Sequence, residues 1–233
     1  MRYNVKYGAD VIKVCATGGV LSRNNDVDSP QLTQVELDSI IDEAHAKGKK
    51  VAAHAHGATG AKRAVRAGID SIEHGSFLDE EALTLMKEKG TFYVPTLHAL
   101  WSLEEAQKKG SVMDPRTKAK MAMAGRRIGE TFRSAAARGI RIAFGTDAGV
   151  GIHGTNAEEF VLMVKGGLKP IDALRAATSV DAELFGIASE VGTLETGRIA
   201  DIVAIPGNPV EDITKTRSVF CVMKDGKVVK NTR

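Results

Sequence analysis

Short apolar runs alternate along the chain with longer segments whose apolar residues recur at a helical spacing. The runs end at glycine, proline or polar residues, which is typical of buried strands. The longer segments carry an apolar stripe on one side, which predicts amphipathic helices. We therefore predict strands over residues 9–15, 51–54, 69–74, 91–95 and 140–146, and helices over 33–47, 59–67, 79–89, 116–138, 156–165 and 170–184.

The regular order of strand and helix predicts an α/β fold. Parallel strands joined by crossover helices give this order, in either a barrel or an open doubly wound sheet. A full barrel of this kind has eight strands, so the pattern is about three strands short at its beginning. The segment 97–114 fits either a lid or a helix. Thr33 with Glu36 predicts a capping box, and Asp79 and Asn156 are predicted helix caps.

The pattern changes near residue 190. Apolar runs at 200–205 and 218–223 predict strands, and Asp225-Gly226 predicts a tight turn that leads into another strand. We expect a barrel-type unit over 1–189, followed by a small β appendage over 190–233.

Composition and charge exclude several classes of protein. Of the 233 residues, 43% are apolar and 26% are charged, as in a globular protein. The net charge is +3, and acidic and basic residues are well mixed along the chain. Without a basic stripe we expect no nucleic-acid partner. Without a long apolar run we expect no contact with a membrane. The two cysteines do not suggest a disulfide framework, and the first residues do not resemble a signal peptide. A cytoplasmic location is therefore expected.

Candidate chemistry lies at the ends of the predicted strands. Asp147 follows the run 140–146, where a poorly solvated carboxylate needs a cation, a metal or a cage of hydrogen bonds. A helix cap or an internal ion pair would satisfy it equally well. Lys13, His54 and His74 lie on three other predicted strands. Because working residues of such barrels lie at the carboxyl ends of the strands, we predict one shared pocket.

Five motifs stand in order along the chain: GADVIK (8–13), ATGGV (16–20), VAAHAHG (51–57), IEHG (72–75) and FGTDAG (144–149), extended by HG (153–154) and GRIADIV (197–203). Together they resemble the amidohydrolase superfamily of metal-dependent hydrolases. More narrowly, they resemble its metal-dependent carboxypeptidase and Xaa-Pro dipeptidase-like branch, near imidazolonepropionase-like proteins and ochratoxin-degrading amidohydrolases. The resemblance implies a (β/α)8 TIM-type barrel, and it assigns 190–233 to the C-terminal part of a small β-sandwich domain.

The resemblance also implies roles for single residues. Lys13 would become a carbamate that bridges two divalent ions, for which zinc is expected, unless it is simply a lysine paired with an acid. His54 and His74 would each ligate one ion, the alternative being hydrogen-bonded core histidines. Asp147 would bind a metal and act as general base and then general acid.

Three further residues are candidates for contact with substrate. His56 would reach the substrate carbonyl, although packing against a loop explains it equally well. His153 would contact substrate from the loop after Asp147, or is a plain loop residue. Arg23 would pair with a substrate carboxylate, or is simply solvated.

One feature departs from the resemblance. The family carries a His-x-His pair on its first strand, whereas the pair in this chain, His54 and His56, follows the lysine strand. We therefore expect the C-terminal portion of a barrel that lacks its first strands, with a metal site that is incomplete unless another chain completes it. Open strand edges favour association, so we expect a homo-oligomer.

The function implied is a metal-dependent hydrolase that uses a metal-activated hydroxide to cleave amide or peptide bonds. The expected substrates are small molecules, namely dipeptide-like compounds or N-acyl amino acids held through a free carboxylate. The alternatives are a hydrolase or deaminase of a cyclic amide or imidazolone, and a truncated remnant without catalysis.

Overall fold

The computed structural model describes residues 1–23 and 25–232. The last residue of the predicted appendage, 233, therefore lies outside the described residues. The described chain forms two sheets, one parallel and one antiparallel. Among the residues that the structure describes, no helix combines the length and apolar character that a membrane span requires.

Four parallel strands form the main sheet, in the same order as in the sequence. Cys15 lies opposite His54 and His54 lies opposite Glu73, so the carboxyl ends of the first three strands meet at one edge. This confirms the α/β class with parallel strands. Within the described residues the sheet is open and not a closed barrel. The strands are β1 (Val11–Cys15), β2 (Lys50–Gly57), β3 (Ser71–Phe77) and β4 (Phe92–Val94).

The predicted strand over 140–146 is reduced to a single bridge between Ile142 and Tyr93. The Tyr93 N–H donates to the Arg141 carbonyl at 2.8 Å, and the Ala143 N–H donates to the Tyr93 carbonyl at 3.0 Å. The next N–H, of Phe144, donates instead to the Asp181 carboxylate at 2.9 Å. The prediction of a full strand was therefore wrong, because the ladder to β4 stops at Pro95, which has no N–H to donate to the Ala143 carbonyl.

The helices agree with the sequence pattern more closely. The segment 97–114, which the sequence pattern assigned to either a lid or a helix, contains a helix. The single helix predicted over 170–184 is interrupted by a π-helical turn, Ala176–Val180. The helices are α1 (Arg2–Lys6), α2 (Gln34–His45), α3 (Ala58–Arg66), α4 (Glu80–Lys89), α5 (Leu97–Lys108), α6 (Pro115–Ala137), α7 (Glu158–Lys165), α8 (Pro170–Arg175) and α9 (Asp181–Phe185). Short 3-10 turns cover Ala148–Val150 and Ile213–Arg217.

Two of the three predicted caps are present. Thr33 and Glu36 form the reciprocal capping box, and Asp79 accepts from the Ala82 N–H at 2.8 Å. The predicted cap at Asn156 was wrong, since α7 begins at Glu158 without a side-chain cap. The Asn156 amide instead donates to Thr146 Oγ1 at 3.0 Å, so this residue holds the loop after the single bridge.

The core lies between the parallel sheet and its helices. Its largest fully buried side chains include Tyr93 on β4, Phe132 on α6 and Leu37 on α2. Thr131 of α6 donates to the Ser76 carbonyl of β3 at 3.0 Å. Helix α6 therefore packs directly behind the strand ends that carry the candidate chemistry.

The antiparallel sheet consists of β5 (Ile202–Ala204), β6 (Cys221–Lys224) and β7 (Lys227–Asn231), in that order. Asp225 and Gly226 both have positive φ, of 50° and 72°, as a two-residue hairpin turn requires. This confirms the predicted turn. The division of the chain into two domains at residue 190 stays a prediction.

Candidate active site

Three histidines meet where β2 and β3 end. The ring centroids of His54 and His74 are 4.5 Å apart. His56 lies 4.9 Å from each of them, and its ring stacks on His74 at 17°. His54 and His56 are two residues apart on one strand and share a face, and β3 places His74 beside them. The sequence predicted this convergence of His54 and His74, and the structure adds His56 to the same cluster.

Three residues of the site have left-handed backbones. The φ angles are 70° at His74, 50° at Thr96 and 50° at Asp147. Non-glycine residues rarely adopt this region, and for a β-branched threonine it is a true outlier. Such strain persists where the surrounding structure enforces it, and it concentrates at functional sites. Here it bends the chain at His74 within β3, at Thr96 just after β4, and at Asp147 after the bridged segment.

Each histidine has one ring nitrogen fixed by a neighbour. A fixed nitrogen orients the ring and leaves the other nitrogen for a ligand. In residues 1–23 and 25–232, no protein hydrogen bond uses that other nitrogen. The fixed pairs are His54 Nε2 with the Gly18 carbonyl (3.2 Å), His56 Nδ1 with Ser76 Oγ (2.9 Å) and His74 Nδ1 with Thr96 Oγ1 (2.6 Å).

Burial keeps these imidazoles neutral. It lowers the pKa of His54 and of His74, and it lowers the pKa of His56 to about 3. Neighbouring charges add to the effect, since Lys13 lowers the pKa of both His54 and His74. A neutral imidazole has a free lone pair, which is the form that binds a metal.

The cluster opens into a cavity of about 340 Å³, a size that suits a small organic ligand. Its lining combines polar groups with aliphatic side chains. Among the described residues that line it there is no lysine or arginine. The lining consists of Gly19, Val20, Leu21, Ser22, His54, His56, His74, Ser76, Thr96, Ala99, Leu100, Leu103, Ala124, Ile128, Asp147 and Val150.

Comparison with known proteins decides the family. Residues 2–229 match the sequence profile of the Amidohydrolase family. The chain belongs to this family. An ochratoxinase from Aspergillus niger is 37% identical over 235 residues, which cover 99% of this chain and 48% of the ochratoxinase.

Solved structures give the same result. A Xaa-Pro dipeptidase with methionine bound in its active site is 46% identical, with a TM-score of 0.93 over 99% of this chain and 57% of the dipeptidase. A prolidase complexed with N-methylphosphonate-L-proline is 36% identical, with a TM-score of 0.93 over 99% of this chain and 57% of the prolidase. This amidohydrolase chain thus spans about half the length of the relatives that it matches.

In this amidohydrolase chain, Lys13 lies beside an acid that the sequence analysis missed. The Lys13 ammonium is 3.8 Å from the Glu73 carboxylate and half exposed. Burial raises the pKa of Glu73, whose other oxygen accepts from Ser71 Oγ at 2.6 Å. An acid within the apolar run 69–74 was the signal that could have revealed it. The geometry matches the ion-pair alternative for Lys13, and its carbamate stays a prediction.

The donor chemistry of the amidohydrolase site fits a divalent metal in part. His54 and His74 are neutral and oriented, and the negative charge of Asp147 raises the pKa of His54, against the effect of burial. However, no three His, Cys, Asp or Glu residues of the described chain stand close enough together to hold a metal ion. The described residues therefore offer two well-prepared imidazoles and an incomplete coordination shell.

The remaining candidates lie outside the cavity lining. His153 is exposed in the loop after Asp147. Arg23 is also exposed, and its backbone carbonyl accepts from Arg116 at 2.8 Å. Their contact with substrate stays a prediction. A further histidine, His98, is fully buried and bonds Thr155 Oγ1 through Nε2 at 2.8 Å, so it braces the loop that carries Asp147.

Glu159 is a second buried acid that the sequence analysis missed. It lies on α7 and accepts from the N–H groups of Leu97 (3.1 Å) and His98 (2.6 Å), the first residues of α5. Burial raises its pKa to about 8. Because Thr96 immediately precedes these residues and holds His74, Glu159 anchors the corner that orients a site histidine. Its spacing from Met163, one helical turn away on the buried side of α7, was the available signal.

Tyr93 holds the backbone of His74 through a hydrogen bond. Its hydroxyl donates to the His74 carbonyl at 2.8 Å, inside the core. We expect Tyr93→Phe to lower the free energy of unfolding by about 1–2 kcal/mol, because a buried carbonyl loses its donor. Urea unfolding measures this, with the exposed Tyr3→Phe as the control. Equal stability of the two variants would contradict the prediction.

Proposed function

We propose that this chain carries catalytic residues of a metal-dependent hydrolase that cleaves amide or peptide bonds in dipeptide-like compounds or N-acyl amino acids. The observation that supports it most is the group of three neutral, oriented histidines with Asp147 around one small cavity. The similarity to a Xaa-Pro dipeptidase and to a prolidase favours dipeptide-like substrates.

In this proposal two divalent ions, with zinc suited to the imidazoles, are held by Lys13 as a carbamate and by His54, His74 and Asp147. The two histidines are neutral and oriented as this role requires, and Lys13 and Asp147 would add ligands to a shell that stays incomplete within the described residues. When bound, the metal supplies activation of water and polarisation of the amide carbonyl. A homo-oligomer, in which a second chain covers the open edge of β1, belongs to the same proposal.

The residues of the chain then have separate tasks. Asp147 accepts the proton of the attacking water and delivers it to the leaving amine. With Ser76 donating to Nδ1, His56 carries its proton on Nε2, from where it can donate to the substrate carbonyl oxygen. Thr96 keeps the Nδ1 of His74 occupied, so that Nε2 faces the cavity.

A cyclic amide or imidazolone substrate is the second candidate. It is favoured by the similarity to an imidazolonepropionase from Symbiobacterium thermophilum, which is 31% identical over 176 residues. The same histidines would serve that reaction. A panel of dipeptides, N-acyl amino acids and cyclic amides therefore separates the two candidates.

Metal content tests the proposal. We expect the chain purified from bicarbonate buffer to retain divalent metal, about two ions for a complete site, and to release amino acids from the panel. His54→Asn should lower the metal content, measured by elemental analysis. His45→Asn is the matched control, since His45 lies at the surface and pairs with Asp70. A folded chain that holds no metal and cleaves no substrate would contradict the proposal. The alternative of a truncated remnant without catalysis would then be correct.

A further inference from the structure

A buried lysine fixes the loop that forms one wall of the cavity. Residues 19–22 of this loop line the cavity. The ammonium of Lys120, on α6, donates to the carbonyls of Gly19 (3.3 Å), Ser22 (2.6 Å) and Asn25. A lysine has three N–H donors, and each one is used on the backbone of the loop.

The environment of Lys120 makes this contact difficult to break. The residue is only 6% exposed. In the described part of the chain, no carboxylate lies within salt-bridge distance of it. The three carbonyls therefore offset the cost of burying the positive charge of Lys120. If the loop moved away, that charge would be buried without hydrogen-bond partners. One turn earlier, Arg116 holds the same loop at the Arg23 carbonyl (2.8 Å).

The next turns of α6 continue the wall. Ala124 and Ile128, four and eight residues after Lys120, line the cavity. Val20 of the loop clusters with Ala124, and Leu100 and Leu103 of α5 pack against them. The lysine thus lies behind a wall from which Val20, Ala124 and Ile128 present aliphatic side chains to the cavity.

We propose that Lys120 is a positioning residue for substrate selection, which holds residues 19–22 against α6 so that the cavity accepts an uncharged, apolar side group of the substrate. The proposal rests on the function proposed above and narrows its substrates to dipeptide-like compounds with an aliphatic or aromatic side chain. Anionic side chains are excluded because the described lining contains no lysine or arginine to pair with them.

The test compares two dipeptides, Leu-Leu and Gly-Gly, so that the apolar group is present or absent on both sides of the scissile bond. We expect Lys120→Met to raise KM for Leu-Leu by about tenfold or more. We expect kcat to change less than about threefold, and KM for Gly-Gly less than about twofold. Lys118→Met, an exposed lysine on the same helix, is the control. Equal increases of KM for both dipeptides, or a fall in kcat alone, would overturn the proposal.

Two measurements need no turnover and keep the proposal separate from the proposed function. Trypsin should cleave after the exposed Arg23 faster in Lys120→Met than in Lys118→Met, as read by mass spectrometry. Calorimetry should show that Lys120→Met loses the preference of the chain for binding Leu-Leu over Gly-Gly. If the native chain binds Leu-Leu but cleaves no dipeptide, the proposed function is wrong. The proposal that this wall selects apolar side groups is then still supported. If Lys120→Met changes neither the rate of cleavage at Arg23 nor the binding preference, the proposed role of Lys120 is wrong.

Ala124→Leu provides a second route if Lys120→Met does not fold. The added side chain fills the cavity and leaves the lysine and its carbonyls in place. We expect weaker binding of Leu-Leu by about tenfold and unchanged binding of Gly-Gly. An equal change for both dipeptides would show that this wall does not contact the side group.

Discussion

Replacement of Asp147 by asparagine should reduce kcat for amide hydrolysis by about a thousandfold. The amide side chain has nearly the same shape as the carboxylate but cannot accept the proton of the attacking water. Asparagine also tolerates the left-handed backbone that Asp147 adopts at φ 50°, so the loop should keep its course. The expected loss is therefore chemical and not a consequence of unfolding.

Turnover of the best substrate of the panel measures this effect, with circular dichroism and thermal unfolding as checks on the fold. Asp10→Asn is the matched control, since Asp10 is exposed before β1 and does not line the cavity. A loss smaller than about tenfold would assign the proton transfer to another group. Glu73 would then be the next acid to replace, because its charge interacts with that of Asp147.

Replacement of Glu159 by glutamine should change how stability depends on pH. Burial raises the pKa of Glu159 to about 8, above its ordinary value of 4.5. The folded protein therefore binds a proton more tightly than the unfolded chain, so this residue stabilises the fold at low pH and loses that contribution as pH rises to about 8. Glutamine resembles the protonated acid and removes the effect. Relative to the native chain, Glu159→Gln should gain about 2–4 kcal/mol between pH 5 and pH 8.

Urea unfolding at several pH values, for both proteins, isolates this contribution. Other groups titrate as well, since burial raises the pKa of Asp181 to about 7 and lowers the pKa of His56 to about 3. These effects cancel in the difference between variant and native chain. Glu88→Gln, at an exposed position of α4, should show no such difference. Parallel stability curves for native chain and Glu159→Gln would contradict the assigned titration.

Local patterns predicted the elements, and distant contacts decided the details. The parallel strands, the capping box and the convergence of His54 with His74 follow from periodicity and from strand ends, which are properties of neighbouring residues. The strand over 140–146 failed because Pro95 cannot continue the ladder, while the Phe144 N–H is held by Asp181, some forty positions later. Such a contact leaves no periodic trace in the sequence.

The acids that were missed show the same limit. Glu73 and Glu159 both interrupt apolar segments, so their burial could have been suspected. Their roles could not be predicted, because their partners lie on other elements. Glu73 pairs with Lys13 on β1, and Glu159 bonds the start of α5. The carbamate, the number of metal ions and the contacts of His153 and Arg23 stay predictions.

The left-handed backbones at His74, Thr96 and Asp147 have a consequence for protein engineering. Glycine adopts this conformation without strain, so a selection for thermal stability alone would draw glycine to these positions. At Thr96 the gain in stability would remove the hydroxyl that orients His74. Directed evolution for heat resistance should therefore keep these three codons constant and seek its gains elsewhere in the chain.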